Sequence, residues 1–219
     1  MVTNKLPIFD QQSEPLERRI ATGLHKIGLA LKHQTWIQAN EDGLSPTQGQ
    51  ILAALAVQGT HTATDLSKQL GVSLPTISDS VRVLVDKGLV EKKPDRRHPR
   101  ASLLELTAAG RSRSARARAW PEFLASAVGA MSKPEQEVFL SGLMKMIVTL
   151  QENGQIPTNR MCITCTHFRP HVHPGALPHH CDLVDAPMAA RHVRLDCAEQ
   201  IEAPEIERAA KRERFMRVD

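Results

Sequence analysis

The stretch GVSLPTISDSVRVLVDKGLVEKKPDRRHPRASLLELTAAG, residues 71–110, decides the fold. Gly71-Val72-Ser73 reads as a tight turn, with Ser73 placed to cap the helix that follows. Ile77, Val81, Leu84 and Val85 recur at helical spacing and form one apolar stripe that runs to Gly88. Thr76, Ser78, Asp79, Ser80 and Arg82 fall on the opposite, polar face. Upstream, Thr62 caps a short helix whose Ala63, Leu66 and Leu70 point inward and which ends at Gly71. Helix, glycine turn and a second helix with a polar outer face make a helix-turn-helix pattern. After Gly88 the period changes to two, in Leu89–Lys92 and again in Ser102–Thr107. Between these two strands lies KPDRRHPRA, 93–101, a Pro- and Arg-rich tip, so the hairpin reads as a wing.

Helical patterns flank this core. Leu16, Ile20, Leu24, Ile27 and Leu31, then Trp36 and Ile37, mark a long helix over 14–41, which Gly43 ends. Ser45, Pro46 and Gln48 form a capping box for a helix carrying Ile51, Leu52 and Leu55 and closing near Gly59. Helical pattern resumes at Ala108, with apolar contacts from Trp120, Phe123, Leu124 and Val128. Ser132 caps a last long helix whose Phe139, Leu140, Leu143, Met146, Ile147 and Leu150 form a wide apolar stripe. That stripe is too wide for a domain this small to cover, so a second copy of the chain is its economical partner. The expected organisation is 1–43, an N-terminal dimerisation helix; 44–110, the winged helix-turn-helix; 111–153, C-terminal dimerisation helices; 154–204, a Cys-rich extension; and 205–219, a charged tail readable as a short exposed helix. The fold class is mainly α with a small β wing.

Composition narrows the function. With 219 residues and 41% hydrophobic content, the chain can build one large or two small cores and is not wholesale disordered. No apolar run approaches the roughly 18 residues of a membrane span. MVTNKLPIFDQQSEPLERR has no apolar signal region, so a cytoplasmic protein is expected. Five Phe, two Trp and no Tyr argue against an aromatic-stacking sugar site. No Gly-rich nucleotide loop, Ser/His/Asp set or paired carboxylates in an apolar setting point to an enzyme. The net charge is only +4, but residues 87–118 hold ten cations against Glu91, Asp95 and Glu105. Charge concentrated in this way suits a polyanion partner, because neutralised phosphates release counterions.

PDRRHPRASLLELTAAG, 94–110, resembles the MarR family of winged-helix transcriptional regulators, whose wing tip is Asp-x-Arg and whose second strand ends in Leu-x-Leu-Thr-x-x-Gly. Here these are Asp95-Arg96-Arg97 and Leu104–Gly110, and LSPTQGQILAAL (44–55) is similar to the family as well. The resemblance spans about residues 14–153. It implies a homodimer straddling a pseudo-palindromic operator in double-stranded DNA, with residues 73–87 as the recognition helix. Ser73, Pro75, Thr76, Ser78 and Arg82 would then face the major groove, with Asp79 pairing with Arg82. The resemblance makes Arg97 a minor-groove arginine positioned by Asp95, with Lys92, Arg96 and Arg100 among the DNA contacts.

Residues 154–204 depart from that family. Cys162-Ile-Thr-Cys165 is followed after fifteen residues by Cys181 and after fifteen more by Cys197. Six of the ten histidines lie between or beside them: His167, His171, His173, His179, His180 and His192. The segment has few large apolar residues, so a cross-link is expected. Disulfides need an oxidising compartment, which a cytosolic DNA-binding protein does not meet. Structural zinc fits four thiolates, or three and a histidine, but zinc modules usually present two tight pairs. An iron–sulfur cluster, of which 4Fe–4S is one form, accepts one tight pair with two distant cysteines. A metal-free thiol sensor is a further alternative. Cys162, Cys165, Cys181 and Cys197 are thus candidate ligands of an iron–sulfur cluster or of zinc, in a metal-stabilised C-terminal module. Three functions stay open: a regulator, expected to be a repressor, tuned by metal or redox state; a relative with structural zinc that senses a small aromatic acid; and an iron–sulfur interaction protein that does not bind DNA.

Overall fold

The computed structural model describes residue 9 and residues 12–95, 102–158 and 160–217. Helix α1 runs Leu16–Glu41, α2 Pro46–Gln58, α3 Ala63–Leu70 and α4 Leu74–Asp86. Strands β1, Val90–Pro94, and β2, Ser102–Leu106, follow. Then come α5 Ala108–Arg118, α6 Glu122–Gly129 and α7 Lys133–Glu152.

Side-chain caps set the helix starts. Ser45 and Gln48 exchange bonds of 3.2 Å in the expected capping box. Thr62 and Asp65 do the same for α3. At α7, the Glu135 carboxylate accepts from both the amide and the hydroxyl of Ser132. Gly71 ends α3 at φ 63°, in the left-handed region where an L side chain is strained.

The helix-turn-helix surrounds one core. Ile51 and Leu52 of α2, Leu66 of α3, Ile77 and Leu84 of α4 and Leu104 of β2 are all essentially inaccessible. Each such side chain contributes about 1.5–3 kcal/mol by leaving water. The wing is antiparallel, from Val90↔Leu106 to Pro94↔Ser102. His61 adds a short third rung by bridging Leu104.

Thr107-x-x-Gly110 locks the wing to α5. The Thr107 hydroxyl donates to the Gly88 carbonyl at 2.7 Å and accepts from the Gly110 amide at 3.0 Å. Trp120 lies on Gly49, where a Cβ would meet its ring at 2.0 Å.

The C-terminal region builds a second core. A 3-10 turn at Cys162–Thr164 leads to a three-stranded antiparallel sheet, β3 Phe168–Arg169, β4 His179–Cys181 and β5 Ala186–Met188. A second 3-10 turn, Ala190–His192, and helix α8, Glu205–Met216, complete it. Two expectations change here. The extension does have an apolar core, of Met161, Ile163, Cys165, Phe168 and Val193, because it borrows Met144 and Val148 from α7 and Phe215 from α8. The tail is therefore a docked helix rather than an exposed one. Part of the α7 apolar surface is covered within the chain, while Phe139, Leu143, Met146 and Leu150 keep partial exposure. Among the described residues, no helix is long and apolar enough to cross a membrane.

Candidate nucleic-acid interface and thiol site

The turn before α4 is rigidly held. The Ser67 hydroxyl donates to the Val72 carbonyl at 2.8 Å, and Ser73 caps α4 through the Thr76 amide. Ser73 and Thr76 hydroxyls share a 2.7 Å bond. Ile77, Ser80, Val81 and Leu84 face the core. Ser73, Leu74, Pro75, Thr76, Ser78, Asp79 and Arg82 are exposed. Asp79 accepts from Arg82 at 3.1 Å, the pairing anticipated from their spacing. This pair masks the carboxylate that would otherwise repel a phosphate.

The cationic run divides by task. Lys93 is held by Glu91 at 3.1 Å and by Glu105 at 2.5 Å. Lys92 is exposed on β1. Arg111 donates to the Leu106 carbonyl at 2.8 Å. Arg113 and Arg116 both pair with Asp42, which is 7% exposed at the end of α1 and also accepts from Trp120 Nε1. These α5 arginines therefore fix the long helix to the winged domain, a role their sequence spacing did not reveal. Asp95 lies at the foot of the wing tip, while Arg96, Arg97 and Arg100 fall outside the described residues.

A cleft of about 510 Å³ opens between α1, α2 and the end of α5, lined by Leu31, Lys32, Trp36, Gln50, Arg118 and Trp120. Two indoles and two cations contribute to its lining.

The four cysteines, 35 residues apart at their extremes in sequence, are all free, and Cys165, Cys181 and Cys197 lie near enough to Cys162 to act on its thiol. Cys162 and Cys197 sit on paired segments. The Cys162 amide donates to the Arg194 carbonyl at 3.0 Å, and the Cys197 amide donates to the Arg160 carbonyl at 2.8 Å. The Arg194 amide donates to Cys162 Sγ at 3.2 Å. Cys165 is buried beside Ile163, and Cys181 lies on β4 opposite Phe168. Burial pushes the Cys162 thiol up to about 11, against the Arg194 amide, and Cys197, Cys165 and Cys181 all act on it in the same direction as burial. Among the described residues, no three His, Cys, Asp or Glu side chains form a group that could hold a metal ion as they stand. Among the histidines, His179 is buried against Phe168 and Phe215, and His173 bonds His180 at 3.2 Å.

Residues 42–101 match the MarR family model. No curated protein sequence matches the chain. Among solved structures, Staphylococcus aureus MepR in a DNA complex is 25% identical with a TM-score of 0.53, covering 60% of this chain and 98% of that one. A putative MarR family transcriptional regulator from Listeria monocytogenes, complexed with 26mer DNA, is 20% identical with a TM-score of 0.54, covering 64% and 92%. NadR in complex with 4-hydroxyphenylacetate is 23% identical with a TM-score of 0.50, covering 62% and 96%. The matched segment lies in the winged helix-turn-helix, and these structures share the fold of that part of the chain; residues 154–217 form a further C-terminal unit beyond it.

Proposed function

We propose that the chain is a sequence-specific DNA-binding transcriptional regulator that represses by occupying a pseudo-palindromic operator as a cytoplasmic homodimer, and that a cysteine-ligated iron–sulfur cluster modulates this binding. The observation that carries the reading is the presentation of α4. Ile77, Val81 and Leu84 of its apolar face are buried in the core, while Ser73, Pro75, Thr76, Ser78 and Arg82 stand exposed on its outer face. Such a helix fits a major groove. MepR, with a similar fold and 25% identity, has been captured on DNA. Lys92 and the wing residues Arg96, Arg97 and Arg100, positioned by Asp95, would add backbone and minor-groove contacts.

Exposed apolar side chains on α1 support the homodimer. Leu16, Ile20, Leu29 and Trp36 are each more than half exposed in the single chain, and a second copy would cover them. The cluster reading rests on the donor set. Four free thiols are available, three of them near enough to Cys162 to act on it, and Cys162 already accepts a backbone N–H bond. A single zinc needs four donors about 2.3 Å from one point, whereas a cluster takes thiolates at separated corners. Cys162, Cys165, Cys181 and Cys197 would hold it, and it would supply an inorganic core that fixes their spacing.

Gel-shift titration against a duplex selected from a random pool tests the DNA reading. Tight, salt-dependent, sequence-selective binding is expected, with a sharp loss in Arg97→Ala. Absence of selective binding would leave the protein as an interaction module that does not bind DNA. Anaerobically purified protein is expected to be brown, with broad absorbance near about 400 nm. A colourless protein with one zinc per chain would replace the cluster by structural zinc. The cleft beside Trp36 and Trp120 favours a second reading, in which a small aromatic acid is the effector.

A further inference from the structure

We infer that Pro157 and Arg160 are coupling residues that join the cysteine site directly to the helix-turn-helix of the same chain. This rests on the cluster reading above and names how that site would act on DNA binding.

The chain leaving α7 turns back on itself. The Gln155 amide donates to the Leu150 carbonyl at 2.9 Å, and Gln151 Nε2 donates to the Pro157 carbonyl at 3.2 Å. That turn sets the Pro157 ring against Gly71, the left-handed residue between α3 and α4. A Cβ there would lie 3.2 Å from Pro157 Cγ, so the ring rests on the bare face of the glycine.

Three residues later, Arg160 engages the cysteine site twice. Its carbonyl accepts from the Cys197 amide at 2.8 Å. Its guanidinium donates to Asp196 Oδ1 through Nε at 3.1 Å and Nη2 at 2.9 Å. Arg160 also stands close enough to His61 for its charge to act there. The backbone of His61 pairs with Leu104 at the root of the wing, at 2.8 and 3.4 Å. His61, Gly71, Pro157, Arg160 and Asp196 line one groove of about 1110 Å³.

The consequence is mechanical. Cys162 and Cys197 belong to segments 160–162 and 194–197, which are hydrogen-bonded to each other. Fixing four thiolates on an inorganic core sets the spacing of those segments. Any change in that spacing reaches Arg160 through one hydrogen bond and reaches Pro157 within a few residues. Pro157 touches the turn that aims α4, and Arg160 shares a groove with His61, whose backbone pairs with β2. Both DNA-contacting elements are thus reached from the cysteine site within one chain, the turn before α4 through Arg160 and Pro157 and the wing through Arg160 and His61, with no passage through a dimer interface.

The test uses the full-length chain as Pro157→Gly/Arg160→Ala, with Arg160→Gln as a milder variant that keeps the proline contact. Cluster content is read by absorbance and by iron and sulfide analysis. Affinity for the selected duplex is measured with and without the cluster, and amide hydrogen exchange is followed over 67–78 and 102–106. Wild-type affinity is expected to change at least about tenfold between the two states, within the usual range of allosteric coupling. In the double variant the cluster content stays at the wild-type level, the ratio falls to within about twofold, and the exchange difference over 67–78 disappears. Arg160→Gln is expected to lie between. A double variant that loads the cluster and keeps the wild-type ratio overturns the coupling role alone. A wild-type chain that loads no cluster, or binds equally well with and without it, overturns the cluster reading and the coupling with it.

Discussion

A Cβ at Gly110 would lie 1.9 Å from the carbonyl oxygen of Leu89. The first turn of α5 thus runs directly against the backbone that enters the wing, and only a glycine allows it. Leu89 must hold that place because its carbonyl also accepts the Thr107 amide at 3.1 Å. Gly110→Ala is expected to destabilise the winged domain by about 1–3 kcal/mol or more, since backbone has to shift. Gly142→Ala is the control. It sits in α7 with nothing within 4 Å, and is expected to stabilise by about 0.5–1 kcal/mol through helix propensity. Urea denaturation of the two variants checks both signs.

Asp42 carries the junction between α1 and the winged domain. Its carboxylate, 3% exposed, meets Arg113, Arg116 and Trp120 Nε1. Asp42→Ala leaves two cations and an indole N–H facing an apolar gap. A loss of about 1–3 kcal/mol is expected, below the full buried-pair figure because Arg113 and Arg116 retain solvent. Arg116→Ala, with its side chain 63% exposed, is expected to lose less than Asp42→Ala. Equal losses in the two would show that Asp42 acts through Arg116 alone, without Arg113 and Trp120.

Arg82 and the Ser73–Thr76 pair separate affinity from stability. Their side chains are exposed, so Arg82→Ala and Thr76→Ala are expected to leave the thermal midpoint nearly unchanged. If Arg82 meets a phosphate, its loss lowers the slope of log affinity against log salt by about 1. If it reads a guanine, selectivity at one operator position relaxes by about 1–3 kcal/mol instead. Unchanged affinity, slope and selectivity would remove Arg82 from the interface.

His61 is expected to make the winged domain acid-sensitive. Burial holds its imidazole below the ordinary histidine range; Asp65 opposes this, and Arg160 adds to the lowering. The unfolded chain then takes up the proton more readily than the folded one. The His61 contribution is whole above about pH 6.5 and is lost as pH falls from there toward the folded value. The urea midpoint is expected to drop between pH 7.5 and 5.5, and to drop less in His61→Gln. An equal drop in the variant would assign the acid sensitivity to other groups.

Residues 44–110 were legible without coordinates because their signals are local. Capping residues three positions apart, a glycine at a left-handed turn and a switch from period 3.6 to period 2 each act within a few residues. The same holds for the Asp79–Arg82 pair, which lies within one helical turn.

What sequence spacing left open depends on partners far along the chain. The arginines of α5 read as one basic run, yet Arg113 and Arg116 turn toward Asp42, more than 70 residues away. The extension looked poor in apolar residues because its core is completed by Met144, Val148 and Phe215 from helices on either side. The contact of Pro157 with Gly71 joins two turns that no periodicity relates. Local chemistry written in consecutive residues fixed the elements. Which polar side chains became structural, and which element closed each core, was decided only when distant segments competed to be buried together.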